Sequence, residues 1–380
     1  MEGVVSCGKW IKRPENVNLV VLSKTLDSKS VLEIFSYDSN TTSLSSSPMV
    51  THEVDDGIIV TMAVHPNCEE IICSTTSGDC KVFELSFQEK STKFSVREVP
   101  ALQDVGLQNC VAFSVDGSKL AIGGDDGHLR IFEWPSMRVI IDEPKAHKSF
   151  SFMDFSLDSE FLASTSTSGS ARVWNVNEGV PVATLPRKQD EKFELCCFSK
   201  DGTRPFLFCT EQKAKSKPVV GVWDMSTWKK IGHKQLLTKP ASIISTSSDG
   251  KYLALGSRDG DFCVVDVKKM SVGHWSKRLH PGTFIGSLEF CPTERVVLTT
   301  TKEWGAKVTK LTVPVEWKDW QIYSILAALF LLSAVAFYIF YVLSDSFWQV
   351  PVVDMTTGPD MNTLLDDSHF SEDIFGSTEL

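Results

Sequence analysis

Short runs of alternating apolar and polar residues, separated by turns that contain Asp and Gly, recur along most of the chain. The clearest copy lies between Asn109 and Trp134 and reads CVAFSVDGSKLAIGGDDGHLRIFEW. Alternation with a period of two indicates half-buried strands, and Asp-Gly between two such strands indicates a tight antiparallel turn. This segment therefore predicts three strands joined by two turns, a β-meander.

The same pattern returns five more times before residue 315. Two copies are clear and three are weaker; they cover 152–176, 244–267, 60–85, 195–225 and 285–313. Equivalent positions in chain order are Val64, Phe113, Phe155, Phe198, Thr246 and Phe290, which are 49, 42, 43, 48 and 44 residues apart. A repeat of about 40–45 residues with this composition is typical of the blades of a WD-repeat β-propeller.

The number of blades follows from the length of the repetitive region. The N-terminal segments Asn18–Lys24 and Ser30–Asp38 supply strands without a complete copy, and roughly 315 residues divided among seven blades leave about 45 for each. We therefore expect an all-β, seven-bladed WD-repeat propeller. Its first and last blades are expected to share strands, which would close the ring and leave no free edge.

After the repeats, Ile322–Leu343 runs for 22 residues without a charge, Gly or Pro. A helix of that length spans about 33 Å, enough to cross a hydrocarbon core of about 30 Å. Aromatic residues of the kind that anchor membrane interfaces flank it: Trp317, Trp320, Tyr323, Phe347 and Trp348. The predicted organisation is a propeller over 1–315, an interfacial linker over 316–321, a transmembrane helix over 322–343 and a short disordered acidic tail over 344–380.

The distribution of charge predicts the orientation of this anchor. Four lysines precede it closely, at 302, 307, 310 and 318, and neither Lys nor Arg follows it. The positive-inside rule then places the propeller in the cytosol and the tail in the lumen. The net charge of −10 divides into about −1 for residues 1–318 and nine further acids beyond them, eight of which lie in the tail. The N-terminus has charges where a secretory leader would be apolar, so no leader is expected.

Composition narrows the classes of function. A net charge of −10 without a cluster of cations argues against a nucleic-acid-binding protein. Ten Cys are scattered, and the closest pairs, Cys196/Cys197 and Cys68/Cys73, do not have the spacing of a zinc site. We interpret them as buried, reduced thiols of a domain that faces the cytosol.

The sequence contains no recognisable catalytic motif: the phosphate-binding loop, the G-x-S-x-G elbow and the H-E-x-x-H zinc helix are all absent. Asp125-Asp126-Gly127 and Arg258-Asp259-Gly260 could be read as paired carboxylates or a metal loop, yet each lies where the repeat predicts a turn. His147 lies where propeller repeats keep a structural histidine. The basic cluster Lys213, Lys215 and Lys217 is expected to be a solvated loop, with a partner contact left open. No catalytic, cofactor-binding or metal-binding residue is predicted, and no cofactor.

Several stretches of sequence resemble a family of WD-repeat exchange factors of the endoplasmic reticulum. These factors load the Sar GTPase to start COPII vesicles. The matching residues are most similar to those of a plant branch of the family, which facilitates the traffic of phosphate transporters. The resemblance covers almost the whole chain and is carried by Cys7–Pro14, Asp142–Ser149, Phe155–Ala163, Leu311–Tyr323 and Ser344–Trp348. It implies residence in the endoplasmic-reticulum membrane and help for membrane cargo, such as phosphate transporters, on its way to the Golgi. Sar GTPase and COPII components are the other partners that the resemblance implies.

One departure from that family bears on activity. Its active exchange factors have a glycine-rich stretch between the first two strands, which supports a long potassium-binding loop that enters the nucleotide site. Here the corresponding connection is Thr25–Lys29, which has no glycine. We therefore expect a binding protein that does not exchange nucleotide or bind potassium; the alternatives are an exchange factor that uses another loop and a general scaffold on another membrane.

Overall fold

The computed structural model describes residues 3–13, 17–26, 29–55, 57–88, 91–203, 205–213, 216–313 and 319–347. Contacts divide the chain into two units, Met1–Pro314 and Val315–Leu380. Most of the predicted tail, from 348 onward, lies outside the described residues.

Seven antiparallel sheets form the first unit, which confirms the predicted all-β, seven-bladed propeller. Blade 1 contains β1 (Val4–Lys12), β2 (Asn18–Leu26), β3 (Lys29–Asp38), the short β4 (Ser43–Leu44) and β5 (Val50–Val54). Blade 2 contains β6 (Ile59–Val64), β7 (Glu70–Thr75), β8 (Cys80–Gln88) and β9 (Ser91–Arg97). Blade 3 contains β10 (Gln108–Phe113), β11 (Lys119–Gly124), β12 (Leu129–Glu133) and β13 (Arg138–Glu143), and the 3₁₀ turn Pro100–Leu102 precedes it.

The remaining blades follow the same order. Blade 4 contains β14 (Phe150–Phe155), β15 (Phe161–Ser166), β16 (Ala171–Asn175) and β17 (Val180–Thr184). Blade 5 contains β18 (Glu191–Phe198), β19 (Phe206–Lys213), β20 (Val219–Asp224) and β21 (Lys230–Lys234). Blade 6 contains β22 (Ala241–Thr246), β23 (Tyr252–Ser257), β24 (Phe262–Asp266) and β25 (Ser271–Ser276). Blade 7 has three described strands, β26 (Ser287–Phe290), β27 (Val296–Thr301) and β28 (Gly305–Lys310).

The strand order gives the disk two distinct faces. The first strand of each blade is innermost and contacts the first strands of its neighbours. Because consecutive strands are antiparallel, the loops between second and third strands share one edge with the loops that join successive blades. We call this edge the upper face and the opposite edge the lower face. The His147 N–H, in the loop between blades 3 and 4, donates to the Gly127 carbonyl oxygen at 3.1 Å, as two loops of one face should.

The core consists of apolar clusters between neighbouring blades. In one of them, Ile131 of blade 3 packs with Phe150, Leu162 and Trp174 of blade 4, all buried. Alternation places these side chains on the covered faces of their strands, where burial of about 25 cal/mol per Å² is the main stabilising term. Hydroxyl groups add hydrogen bonds across the same junctions: Ile59 N to Ser30 Oγ (2.8 Å), Ser74 Oγ to Gln108 O (2.9 Å), Thr165 Oγ1 to Glu194 O (2.9 Å) and Ser242 Oγ to Ile285 O (2.8 Å).

Ring closure differs from the expectation of shared strands. The sequence predicts Asn18 as the start of the first strand. In the structure β1 precedes Asn18 and gives blade 1 a full set of its own strands. No described strand of blade 7 joins the sheet of blade 1. Instead the two blades pack face to face through Trp10, Val20 and Phe35 on one side and Val296 and Leu298 on the other. The expectation of shared strands was wrong because Val4–Lys12 does not match the repeat pattern. The sequence therefore did not reveal β1, and blade 1 was expected to lack a strand.

The second unit contains one described helix, α1 (Asp319–Phe347). Its segment Tyr323–Ser344 has 22 residues and a mean hydropathy of 2.5, so by length and composition it could cross a membrane. Large apolar side chains along the segment are exposed, among them Phe330, Phe337 and Phe340. A helix that is apolar on all sides without a buried face suits a lipid environment better than water.

Candidate interaction face

The residues that the sequence singled out lie on the upper face but in different blades. Asp125–Gly127 joins β11 to β12, and Arg258–Gly260 joins β23 to β24. His147 lies between blades 3 and 4, and Lys213 ends β19 in blade 5. Lys215 lies outside the described residues, and Lys217 is exposed. The fold therefore brings Asp125–Gly127 and His147 into contact, through the His147 N–H and the Gly127 carbonyl oxygen, while Arg258–Gly260 and Lys213 lie in other blades.

The first Asp-Gly motif is a turn whose carboxylates bond to neighbouring protein groups. Asp126 Oδ1 accepts a hydrogen bond from the His128 N–H at 3.0 Å, and Asp125 Oδ1 accepts one from Ser149 Oγ at 2.9 Å. Gly127 has φ +80°, and a β-carbon on it would overlap the carbonyl oxygen of His147. Glycine is required here both for the left-handed conformation and for the close approach.

The second motif repeats this arrangement in blade 6. Ser257 Oγ donates to Asp259, and Gly260 has φ +83° with the carbonyl oxygen of His280 directly against it. Arg258 Nη2 donates to Glu194 Oε1 at 2.9 Å, which ties the loop to the inner strand of blade 5. In both motifs the Asp side chain stabilises a turn, which is the interpretation that the repeat pattern favours.

His147 is held in a hydrogen-bonded chain inside blade 4. Its Nε2 lies 2.9 Å from Ser164 Oγ, its Nδ1 lies 3.2 Å from Ser170 Oγ, and Trp174 Nε1 donates to Ser164 Oγ at 3.0 Å. Burial, with a smaller effect from the Arg172 charge, lowers the pKa of His147 from 6.5 to about 4. The imidazole is therefore neutral near pH 7 and acts as a structural link between the loop and neighbouring strand residues.

His280 has the same role in blade 7, and the sequence reading missed it. Its Nε2 lies 2.8 Å from Thr299 Oγ1, and burial together with the Lys307 charge lowers its pKa to about 4. The sequence spacing could have predicted this role, since His280 follows Gly260 by the same 20 residues that separate His147 from Gly127.

The lysine-rich loop of blade 5 is partly neutralised. Lys213 Nζ lies 3.5 Å from the buried carboxylate of Glu191, at the start of the first strand in that blade. The pairing ties one member of the predicted basic cluster to the blade itself.

The loops of blade 1 that bear on exchange are short. The strands of the β2–β3 hairpin pair as far as Leu26 and Lys29, which leaves two residues for its turn. In the β1–β2 hairpin, Lys12 pairs with Asn18, and the Arg13 N–H donates to the Val17 carbonyl oxygen at 2.9 Å. Because β1 is present, β1–β2 is the first hairpin of the blade. The connection Thr25–Lys29, which the sequence analysis compared with the glycine-rich stretch of the exchange factors, belongs to the second hairpin, β2–β3.

An exposed aromatic pair marks the upper face at the junction of blades 7 and 1. Phe284 is 43% exposed and Trp304 is 61% exposed. Trp304 Nε1 donates to the Pro281 carbonyl oxygen at 3.2 Å, so both aromatic residues lie on the loops at the upper end of blade 7. Val4 and Leu26, which are also exposed, lie at the upper ends of β1 and β2 in blade 1. We call these four residues the upper apolar patch; surface of this kind on a propeller is suited to binding another protein.

The lower face carries a groove of about 850 Å³ between blades 1, 2 and 3. Its lining is rich in carboxylates: Glu69, Glu70, Glu84 and Asp116. Trp134 Nε1 donates to Glu70 Oε2 at 2.8 Å, and Arg97 Nε lies 2.8 Å from Glu84 Oε1. Ser118 Oγ donates to Asp116 Oδ2 at 2.7 Å and Asn67 Nδ2 to Glu69 Oε2 at 3.3 Å, so bonds within the protein engage all four acids. Among the described residues no group of three or more His, Cys, Asp or Glu is arranged to hold a metal ion.

Comparison with known proteins agrees with this architecture. The model of the WD domain, G-beta repeat, matches residues 103–133 and 139–175. SEC12-like protein 1 of Arabidopsis thaliana is 55% identical over 359 residues, which cover 92% of this chain and 90% of that protein. SEC12-like protein 2 of the same plant is 32% identical over 286 residues, 74% of this chain and 72% of that protein. The guanine nucleotide-exchange factor SEC12 of Mus musculus is 25% identical over 204 residues, 49% of this chain and 48% of that protein.

Proposed function

The chain belongs to the SEC12-like family, and from this premise we propose that it is an endoplasmic-reticulum membrane protein of the early secretory pathway. In this proposal the propeller faces the cytosol, helix α1 spans the bilayer, and the upper face binds protein partners. It promotes the exit of membrane cargo toward the Golgi and plasma membrane without exchanging nucleotide. Phosphate transporters are the cargo that the resemblance suggests.

The upper apolar patch is the observation that carries a binding role. Phe284 and Trp304 present aromatic surface to solvent on loops that hydrogen bonds hold in place. Thr283 Oγ1 donates to Glu303 across the same two loops, and His280 fixes the loop to Thr299. Rigid, exposed aromatic side chains bind a partner at low entropic cost, and aromatic residues are enriched among those that dominate interface energies.

The two short hairpins of blade 1 support a role without exchange. Exchange requires an element that disturbs the contacts of the GTPase with magnesium and phosphate. Strands paired as far as Leu26 and Lys29 have no length from which such an element could project, and the β1–β2 connection spans only Arg13–Val17. Binding of the Sar GTPase or of COPII components by the upper face does not need that loop.

The alternative is a guanine-nucleotide exchange factor for the Sar GTPase. What favours it is the relative from Mus musculus, whose name states that activity. Nucleotide release from purified Sar GTPase, with and without the full-length chain in detergent or liposomes, separates the two functions. We expect no acceleration; a clear acceleration by the wild-type chain would show that the binding-only proposal is wrong.

The binding surface can be tested by its aromatic side chains. We expect Phe284→Ala with Trp304→Ala to weaken capture of cytosolic Sar GTPase or COPII subunits at least tenfold, since truncation of a central aromatic anchor costs about 2 kcal/mol or more. The matched control is Ile231→Ala, which removes an equally exposed apolar side chain from the outer strand β21 of blade 5. Equal binding by both variants would exclude the upper apolar patch as the contact surface.

Cargo and location need cellular measurements. Membrane proteins that accumulate in the endoplasmic reticulum when this chain is removed identify its cargo, and we expect phosphate transporters among them. A tagged chain should be imaged at the endoplasmic reticulum, since steady residence elsewhere would indicate a scaffold on another membrane. Protease added to intact microsomes should digest the propeller and spare the tail; the reverse pattern contradicts the proposed orientation.

A further inference from the structure

The last residues of the propeller leave the ring at its lower face, between blades 7 and 6. Strand β28 ends at Lys310, and the Leu311 N–H donates to the carbonyl oxygen of Arg295 at 2.9 Å, at the lower end of β27. Thr312 then contacts blade 6, because its Oγ1 lies 2.8 Å from Nδ1 of His274 on β25.

From there the chain follows β25 toward the lower end of that strand. A β-carbon on Gly273 would lie 3.4 Å from Val313 Cγ1, one residue nearer to Ser271 than the preceding contact. The turn immediately before Ser271 contains Lys268 and Lys269, both exposed. Neither lysine has an ion-pair partner among the described residues. The chain therefore leaves the propeller beside two unpaired cations.

Charge on the lower face is strongly asymmetric. In blades 5–7 the described residues of the lower loops, 199–203, 225–229, 247–251, 267–270 and 291–295, include six basic and three acidic residues. In blades 2–4 the described residues of the equivalent loops, 65–69, 114–118, 134–137, 156–160 and 176–179, include five acidic residues and neither Lys nor Arg. The basic half is the half from which the chain departs.

The segment between the propeller and α1 limits how far this surface can stand from the membrane. Residues 314–322 connect Val313 to Tyr323, where the apolar segment begins. Even fully extended, ten steps along the chain cover at most about 36 Å. This length of chain allows the lower face of blades 5–7 to reach the lipid headgroups if α1 spans the bilayer.

We propose that the lower face of blades 5–7, centred on Lys268 and Lys269, binds the anionic headgroups of the cytosolic leaflet. This inference rests on the proposed membrane anchor and adds a lipid-binding surface to the propeller. Lysines near an anionic surface each contribute roughly fivefold to binding, and the effect decreases with salt. The acidic lower loops of blades 2–4 are repelled from the same surface, so only the lower face of blades 5–7 is expected to bind it.

Energy transfer in reconstituted vesicles tests the inference on the full chain. A donor dye is placed on the lower face through Thr227→Cys or on the upper face through Thr238→Cys, two exposed positions, in a Cys68→Ser background. The acceptor is a headgroup-labelled lipid, in vesicles of neutral phosphatidylcholine or with 30% phosphatidylserine. We expect phosphatidylserine to raise transfer from the lower label and not from the upper one, and about 0.5 M salt to abolish the increase.

A matched pair of variants isolates the lysines. Lys268→Gln with Lys269→Gln should lower the ratio of docked to undocked propeller roughly 25-fold, since two contributions of about fivefold are lost. The control is Lys239→Gln with Lys277→Gln, which removes two exposed charges from the upper face beside the same blade and should leave transfer unchanged.

The outcomes separate this inference from the function on which it rests. Equal transfer in neutral and anionic vesicles, or equal loss in the test and control variants, overturns the docking surface while the anchor stands. A wild-type chain that does not float with vesicles contradicts the anchor itself and, with it, the premise of the docking surface. Folding of each variant is checked by its unfolding midpoint, so that a loss of transfer reports lost charge.

Discussion

Glu289 and Trp10, 279 positions apart in sequence, are joined by two hydrogen bonds that connect blade 7 to blade 1. The Trp10 main-chain N–H donates to Glu289 Oε2 at 2.8 Å, and Trp10 Nε1 donates to the Glu289 carbonyl oxygen at 3.2 Å. Lys9 Nζ adds an ion pair at 3.4 Å. Asp154 occupies the same place in blade 4, where it accepts the Phe198 N–H of blade 5 at 2.7 Å.

Removal of the Glu289 carboxylate should weaken ring closure. We expect Glu289→Ala to lower the free energy of unfolding by about 1–3 kcal/mol, because the buried main-chain N–H of Trp10 loses its partner. Glu289→Gln retains an acceptor and should lose less. Denaturant unfolding of the full chain in detergent measures both, with the exposed Glu98→Ala as the control. An equal midpoint for Glu289→Ala and Glu98→Ala would exclude this contact as a closing element.

The parts of the fold that could be predicted from the sequence are those whose strand and turn pattern recurs in several blades. Blades 2–7 were visible because each carries the same strand and turn pattern, and the two Asp-Gly turns were recognisable for the same reason. Strand β1 has no second copy to compare with, so the starting point of blade 1 was missed. Glu289 and Asp154 each precede an equivalent repeat position, yet a single acid in a strand does not reveal that its partner lies in the next blade.

The candidate surfaces were beyond sequence reasoning for a different physical reason. Phe284 and Trp304 are 20 residues apart and become one surface only when two loops of blade 7 reach the upper face. The basic lower half likewise collects residues from loops that are scattered between 199 and 295. Surface patches are set by the order of the blades around the ring, and local composition does not encode that order.

Glycine at the end of the first Asp-Gly motif should be intolerant of substitution. Gly127→Ala introduces a β-carbon into the His147 carbonyl oxygen and places alanine at φ +80°, so we expect a loss of about 2 kcal/mol or more. Gly232→Ala is the matched control, because nothing lies within 4 Å of the added carbon. Thermal unfolding compares the two. A similar midpoint for both variants would mean that the loops between blades 3 and 4 relax without cost.

Acid should destabilise the propeller through its two buried histidines. Burial lowers the pKa of His147 and of His280 from 6.5 to about 4, so folding favours the neutral form. Above pH 6.5 the histidines are neutral in both states and cost nothing. As pH falls from 6.5 to 4 the unfolded chain takes up protons that the folded chain excludes. Each histidine then lowers the free energy of unfolding by about 1.4 kcal/mol per pH unit.

Variants isolate this effect from other titrating groups. His147→Gln, which is neutral at every pH and can still hydrogen-bond Ser164, should reduce the slope of stability against pH between 6.5 and 4. The exposed His233→Gln should leave the slope unchanged. An unchanged slope in His147→Gln, measured as unfolding midpoints at several pH values, would contradict the assignment of this histidine as buried and neutral.

The cysteines should be almost inert in the native chain. All ten are free and nine are buried, and burial raises the pKa of Cys110 to about 12. Since only the thiolate reacts, these thiols are protected by both access and ionisation. We expect a thiol reagent at pH 8 to modify Cys68 first and all ten after denaturation. Cys68→Ser should remove the early reaction, and rapid modification of several thiols in the native chain would show a more open propeller.

The orientation of the chain can be determined by glycosylation, because the native sequence contains its own control. Asn40-Thr41-Thr42 has the acceptor pattern, and Asn40 is exposed in a turn after β3. Asn40 is therefore accessible at the surface, and its modification reports the compartment of the propeller. With a cytosolic propeller, we expect Asn40 to stay unmodified while an Asn-x-Thr acceptor introduced near position 360 gains a glycan in microsomes. Asn40→Gln should then leave the mobility of the modified chain unchanged. A glycan on Asn40 would instead place the propeller in the lumen, where ten free cysteines would meet an oxidising environment and the lysines before α1 would lie on the wrong side of the membrane.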